Sequence, residues 1–254
     1  MPNLYESRKY LSEYLLFHYG NRQDLCPFHF APKNAFHFHR RIAREMIRPV
    51  RKPGSRALDL GCAVGRLSFE LSRLVDEVIG IDGSRSFIRA ARRLAAKRSA
   101  TFRIQDEGDL SSRRSIRLDP GFRTRRVRFE VGDAQRLRRD LGAFDLVVMA
   151  NLIDRLPDPQ ECLRRLPRLV KPGGQLVITS PYSWLAEFTS RKNWLGGIRK
   201  KGTMVSTPDG LRKLLGPYFN LVKRRDLPFL IREHRRKFQW VVAEATTWIR
   251  SRDG

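Results

Sequence analysis

The chain has 254 residues, of which 41% are hydrophobic, enough for the core of one domain or one and a half and too apolar for global disorder. No stretch approaches the ~18–20 uninterrupted apolar residues of a membrane helix. Lys and Arg number 51 against 26 Asp and Glu, for a net charge of +25, which places nucleic acid first among partners to consider. The basic residues, most of them arginine, are nevertheless spread along the whole length. No basic tail and no aromatic-interleaved RNA motif stands out, so a compositional drift without a polyanionic partner is the plainer expectation. Met1 to Glu13 lacks a signal-peptide pattern, and Cys26, Cys62 and Cys162 form no CxxC pair. A reducing cytoplasm is therefore the expected compartment, and no membrane is expected as partner.

In chain order, Tyr10, Leu11, Tyr14, Leu15, Phe17 and His18 recur at helical spacing up to Gly20. A Pro- and aromatic-rich loop follows from Cys26 to Pro32, then a helix over about Ala35 to Ile47, ended by Pro53-Gly54. These segments make an N-terminal helical cap over 1–52. From residue 53 to 254 strands and helices alternate. Strands are expected at Arg56–Leu60, Glu77–Asp82, Val127–Val131, Phe144–Ala150 and Gln175–Thr179, with helices at Leu67–Val75 and Ser86–Lys97. Asn220–Leu227 and Trp240–Trp248 supply two final strands, and about Ala100–Arg126 is a polar insertion, read as a hairpin. Such βαβ alternation predicts an α/β fold: a seven-stranded, mostly parallel, doubly wound sheet of Rossmann-like type.

The sharpest constellation is Leu58-Asp-Leu-Gly-Cys-Ala-Val-Gly65 followed by Val78-Ile-Gly-Ile-Asp82. A strand ending in a Gly turn that opens a helix places a ligand at the carboxyl edge of the sheet, and an acid closing the next strand suits two ribose hydroxyls. The spacing is not the dinucleotide GxGxxG. It resembles the DxGxGxG motif of class I S-adenosylmethionine-dependent methyltransferases, with Ala63 where the middle Gly usually falls. Gly132-Asp133-Ala134, Phe144 to Asn151 and Val170-Lys-Pro-Gly-Gly174 resemble further motifs of that family in the same order. The resemblance implies S-adenosylmethionine as cofactor, held by Asp59, Gly61, Cys62, Ala63, Gly65, Asp82, Gly83, Asp133, Ala134 and Asn151.

A narrower resemblance lies in Tyr14–Gly20, Leu58–Gly65, Asn151–Asp158, Thr179–Trp184, Asn193–Gly197 and Asp226–Trp240. These are similar to the C-terminal methyltransferase domain of ovothiol synthase and its stand-alone relatives. That family implies methyl transfer to an imidazole nitrogen of 5-thiohistidine (4-mercaptohistidine), the last step to ovothiol A. Such a zwitterion needs a cation for its carboxylate, an acceptor for its ammonium and a slot for its ring. His18 or His234 is expected to take the ring proton, with Tyr14 or Tyr182 orienting the ring. Tyr19, Asn151, Tyr182, Trp184, Arg232, Glu233 and Lys237 are expected to bind the acceptor. Structural alternatives stand beside these roles: Tyr14 and Tyr19 as core aromatics, Arg232 to Lys237 as a solvated turn. No metal is expected. Cys26, His29, His37 and His39 match no zinc spacing closely. Two other functions fit the chain: a nucleic-acid methyltransferase using the basic surface, and a non-catalytic binder. The first lacks an Asp/Asn-Pro-Pro-Tyr/Phe motif after the fourth strand; the second is disfavoured by intact Asp59, Asp82 and Asp133.

Overall fold

The computed structural model describes residues 4–50, 52–200 and 202–252. Met1–Asn3, Arg51, Lys201, Asp253 and Gly254, which fall in the two segments drawn from the sequence, lie outside the described residues. The cap holds α1 (Arg8–Tyr19), α2 (Arg22–Leu25) and α3 (Phe38–Arg41), which runs on into a π-turn at Ile42–Met46. Ser7 caps α1 by accepting from the Tyr10 amide, and the Gly20 amide closes it on the Leu16 carbonyl. The second cap helix begins later than its apolar pattern suggests. His37 sits in the left-handed region at φ 57, which breaks the run before Phe38.

The remaining elements are β1 (Arg56–Leu60), α4 (Arg66–Leu71), β2 (Glu77–Asp82), α5 (Arg85–Lys97), β3 (Ser99–Glu107), β4 (Leu110–Arg117), β5 (Val127–Val131), β6 (Phe144–Ala150), α6 (Pro159–Leu169), β7 (Val170–Ser180), β8 (Ile198–Lys200), β9 (Thr203–Val205), α7 (Thr207–Leu215), β10 (Phe219–His234) and β11 (Lys237–Arg250). Seven strands form one sheet in the order β10-β11-β7-β6-β1-β2-β5. β5, β2, β1, β6 and β7 are mutually parallel, β11 runs antiparallel to β7, and β10 returns antiparallel to β11. This is the expected Rossmann-like α/β sheet, with the order reversing between β1 and β6. Ligands bind at such a reversal, outside the carboxyl ends of the strands.

Alternation along the strands gives each face its own core. Ala57, Val78, Val148 and Val177 face α4, α5 and the cap, whereas Leu58, Ile79, Val147 and Ile178 face α6 and α7. α4 stops at Leu71, short of the expected Val75, where the Ser72 hydroxyl donates to the Phe69 carbonyl and competes with the helical ladder. Lys171 to Gly174 is absorbed into β7 as a wide bulge, since Phe144 pairs with Val170 but Leu146 with Gln175. α6 and α7 were not apparent in the sequence pattern, although Asp158-Pro159 and the Ser206–Asp209 capping box mark their starts. The insertion forms the β3–β4 hairpin as expected. β10 and β11 run well past the expected segments and past their pairing with β7, so their hairpin end stands above the sheet edge.

Candidate active site

The turn after β1 is built by backbone chemistry. Gly61 and Cys62 both donate their amides to the Ile81 carbonyl, at 2.8 and 3.1 Å, stitching the turn to the end of β2. Gly61 has φ +72, and a Cβ there would meet Leu152 at 2.9 Å. Gly65 has φ +86, and a Cβ would meet Phe129 at 2.5 Å. Ala63 is left-handed as well, at φ 48, in the place where a glycine usually stands. Its strain is offset by the Asp82 carboxylate, whose Oδ2 accepts the Ala63 amide at 2.9 Å while Oδ1 accepts the Ser84 amide at 2.8 Å. One acid thus orders both loops at this edge, and burial raises its carboxyl above the usual range.

Asp59 lies at the base of the turn, 1% exposed. Its Oδ2 accepts from the Ser68 hydroxyl at 2.6 Å, and its Oδ1 is buried with no partner. Burial pushes this carboxyl up to about 7. Asp133 follows β5, exposed, with Oδ1 accepting the Gln135 amide at 2.8 Å. Asn151 caps β6 at φ 51, with its amide on the Thr179 carbonyl and its Oδ1 accepting from the Thr179 hydroxyl at 2.9 Å. Burial raises the Cys62 thiol well above its ordinary value, so it is an inert small side chain under the turn. Asp59, Gly61, Cys62, Ala63, Asp82, Gly83, Asp133, Ala134 and Asn151 all line one cavity of about 610 Å³. Gly65 does not line it; its lack of a side chain lets α4 and α5 close against Phe129.

The other wall of that cavity comes from the cap and from the β10–β11 hairpin. Tyr14, Phe17 and His18, spaced i, i+3 and i+4 on α1, line it, as do Phe38 and His39. Phe38 packs on Phe229 at 4.8 Å between centroids and Phe17 on His39 at 4.9 Å, an aromatic floor. The His18 and His39 rings lie with centroids 3.7 Å apart, tilted by 35°, and the buried Nδ1 of His18 has no partner. Burial and the neighbouring Arg66 hold both imidazoles below the ordinary histidine range, His39 at about 3, so both are neutral at neutral pH. Tyr14 packs on Phe87 at 4.7 Å, and burial raises its phenol. Across the cavity Asp154 accepts from Ser180 at 3.0 Å, and Arg155 donates to Asp154 Oδ2 and to the Ser183 carbonyl. The Tyr5 hydroxyl bonds with both Tyr14 and Arg155, and its carbonyl accepts from Ser84 and Ser86. The segment before α1 therefore joins the two sides of the cavity.

Several residues singled out in the sequence lie elsewhere. Tyr19 donates its hydroxyl to the Val64 carbonyl at 2.7 Å, so it clamps the glycine turn and does not face the cavity. Tyr182, left-handed at φ 56, turns away and donates to Glu244 at 2.6 Å. Trp184 is buried against Trp194, its indole N–H on Thr207 at 2.8 Å. Arg232 is 4% exposed and spent on the Asp24 carbonyl and Asp106 Oδ1, both at 2.8 Å, which fasten α2 and the insertion hairpin to β10. Glu233 pairs with Lys237 and Gln239, and His234 accepts from the Arg236 amide in the turn of the hairpin. None of these seven lines the cavity: Glu233, His234 and Lys237 are paired within the hairpin, and Tyr19, Tyr182, Trp184 and Arg232 are engaged by partners distant in sequence. Among the described residues no cluster of His, Cys, Asp and Glu could hold a metal ion. His39, Asp154, Arg155, Phe38, Phe229 and Gln239 line the cavity without having been singled out for it. Period-two alternation could have flagged the hairpin residues, since Gln239 and Val241 line the cavity while Trp240 and Val242 are exposed.

The family model described as a methyltransferase domain matches residues 28–216. The ubiquinone biosynthesis O-methyltransferase of Xanthomonas oryzae pv. oryzae is 28% identical over 129 residues, 50% of this chain and 43% of that protein. The aligned part thus spans less than half the length of that curated relative. Among solved structures, magnesium protoporphyrin IX methyltransferase (ChlM) from Synechocystis PCC 6803 with bound SAH superposes with a TM-score of 0.57 at 16% identity, covering 97% of this chain and 96% of that one. An S-adenosylmethionine-dependent methyltransferase structure from Methanosarcina mazei gives 0.52 at 21% identity over 79% and 94%. These two likenesses concern the fold. With a family match over most of its length, an ordered motif set at the carboxyl edge and the sheet order that goes with it, the chain belongs to the methyltransferase-domain family and carries a class I S-adenosylmethionine-dependent methyltransferase domain.

Proposed function

We propose that the acceptor is a small aromatic zwitterion, the imidazole of 5-thiohistidine, and that the transfer is an N-methylation. The observation that carries this reading is the close, neutral His18–His39 pair, set in an aromatic wall of the cofactor cavity. A cavity of about 610 Å³ has room for one cofactor and a small acceptor and is too confined for a polymer.

The chain's own groups suit the cofactor. The unpartnered, buried Asp59 Oδ1 is an acceptor waiting for a cation, which the ammonium of the methionine end supplies. Asp82 would hold the ribose hydroxyls, and Asp133 the exocyclic amine of the adenine. When bound, S-adenosylmethionine supplies a methyl on an electrophilic sulfonium. The protein then mainly has to place a nitrogen lone pair on the sulfur–methyl axis and exclude water.

A thiol-bearing imidazole favours a thiolate–imidazolium form, so a ring proton must leave before or during transfer. His18 Nδ1 is neutral and unpartnered, and would accept it. The Tyr14 phenol, kept protonated by burial, would orient the ring. Arg155 and Asp154 line the cavity, and they replace Arg232, Lys237 and Glu233 as the partners for carboxylate and ammonium. A second reading, O-methylation of a phenol, is favoured by the O-methyltransferase named among the relatives. The same neutral histidine would serve as its base.

The test is incubation with S-adenosylmethionine and 5-thiohistidine, histidine or a catechol, with product mass and methyl position measured. Methylation of 5-thiohistidine on a ring nitrogen, well above histidine, is expected. Equal turnover of histidine would mean that the sulfur is not read, and transfer to the catechol alone would put the second reading first.

A further inference from the structure

A second cavity, about 870 Å³, lies on the far side of α1 from the cofactor, between α1, α5 and the β3–β4 hairpin. It exists because the insertion stands off the main sheet: Asp106 holds it to Arg232 of β10, and Arg114 to Asp24. The wall is apolar, formed by Leu11, Leu15 and Leu16 of α1 with Ala90, Phe102 and Ile104. Arg8, Arg89 and Arg93 also line it. Among the described residues none of the three makes an ion pair or a side-chain hydrogen bond.

Two observations point to an anionic ligand. Arg89 and Arg93 stand one turn apart on α5, an arrangement in which like charges repel unless an anion lies between them. Arg232, 4% exposed and lining the same cavity, keeps an Nε–H with no acceptor. Three acids line it as well: Glu233 is already paired with Lys237, Glu13 keeps a buried Oε1 without a partner and a carboxyl raised by burial, and Asp109 stands at the hairpin turn. An inorganic anion would use the cations and leave the apolar wall wet.

We propose that this cavity binds an amphipathic anion. Its phosphate or carboxylate head would be held by Arg8, Arg89 and Arg93 in charge-assisted hydrogen bonds, and its apolar body would cover Leu11, Leu16 and Phe102. The site is independent of the acceptor assigned above, and it gives the polar insertion a function.

The experiment is calorimetry with decyl phosphate below its micelle concentration, with inorganic phosphate as the headgroup-only probe. S-adenosylhomocysteine is kept saturating, so that the cofactor cavity is occupied. The wild type is expected to bind decyl phosphate at one site, at least tenfold tighter than inorganic phosphate. The double variant Arg89→Glu/Arg93→Glu should bind it at least tenfold more weakly. Ala90→Phe, which fills the wall, should weaken decyl phosphate but leave inorganic phosphate unchanged. Unaltered S-adenosylhomocysteine affinity and melting temperature in both variants would show that the fold is intact. No saturable binding, equal affinity for the two probes, or undiminished affinity in the charge-reversed variant would each overturn the proposal.

Discussion

The two walls of the cofactor cavity are made in different ways. On the sheet side, the functional groups sit within two or three residues of strand ends: Asp59 near the end of β1 and Gly61 after it, Asp82 closing β2 and Gly83 after it, Asp133 after β5, Asn151 after β6. Covalent adjacency to a strand end fixes where such a residue goes, because a parallel sheet presents all its carboxyl ends on one edge. On the cap side, the wall is assembled from α1, the α3 region and the β10–β11 hairpin, which are far apart in sequence. There, facing decides everything. One residue of shift on a strand, or a quarter-turn on a helix, takes a side chain out of the cavity. His18 faces in, and its neighbour Tyr19 reaches the Val64 carbonyl instead.

This difference separates removing chemistry from removing a scaffold. The largest expected effect is on the cap side. If His18 takes the acceptor's proton, His18→Ala should lower turnover about 10²–10⁴-fold while cofactor affinity stays within twofold. Intact cofactor binding would separate loss of a base from loss of the fold. Because its imidazole is held well below the ordinary range, kcat at saturating cofactor should not fall between pH 8 and 6 in the way an ordinary histidine base would dictate. Full turnover by the variant would leave water as the base and make the cap wall a mere container.

On the sheet side, Asp82→Ala removes the acceptor for both the Ala63 and Ser84 amides and the partner of the ribose. Charge-assisted bonds of this kind contribute about 1.5–3 kcal/mol, or about ten- to hundredfold in S-adenosylmethionine affinity by calorimetry. An unchanged affinity would remove the ribose assignment.

Most of the fold and the sheet-side wall could be read from the residues, because each depends on local pattern. Strands β1, β2, β5 and β6 have the limits expected from their apolar runs, and the Gly61–Gly65 turn lies where its spacing places it. The acceptor side was legible only in part, and the cause is physical. Arg232, Glu233 and Lys237 have the charges a zwitterion needs, but charge type does not tell whether an ion pair is already made within the protein. Arg232 is paired with Asp106, 126 positions away, a pairing invisible before the insertion hairpin is folded. Trp184 and Tyr182 follow β7 at the right edge, but a left-handed residue at Tyr182 and a bond to Thr207 at Trp184 turn both side chains aside. Nothing in the local sequence around Arg155 marks it as facing a cavity.

A pH dependence sharpens the comparison from the sheet side. Asp59 has its carboxyl raised to about 7 by burial, against about 3.9 for an unfolded aspartate. The folded protein therefore holds a proton there that the unfolded chain releases first. This group's contribution to stability falls as pH rises from about 4 through 7. Cofactor affinity runs the other way, since the ammonium prefers the carboxylate. The dissociation constant should tighten about fivefold as pH rises from 6 to 7, about tenfold by pH 8, and level off above that. Binding below pH 7 should release a proton, which calorimetry in buffers of different ionisation enthalpy would count. Asp59→Asn should abolish the proton release, and its persistence would assign the titration to another group.

The smallest effects test facing itself, on two adjacent residues of β11. Gln239 lines the cavity, while Trp240 is 59% exposed on the opposite side of the strand. Size alone would rank the tryptophan first, because large aromatics dominate most contact surfaces. Alternation ranks them the other way. Gln239 also donates its amide N–H to Glu233 Oε1, so its removal frees Glu233 slightly as well as altering the wall. Gln239→Ala should raise KM for the acceptor a few-fold with KM for S-adenosylmethionine unchanged, whereas Trp240→Ala should leave both within about twofold. His234→Ala and Lys237→Ala, whose partners lie within the hairpin, should behave like Trp240→Ala. A larger loss from Trp240→Ala than from Gln239→Ala would mean that the acceptor is held on the outer face of the hairpin, and the cap-side wall described here would not be the one that meets the substrate.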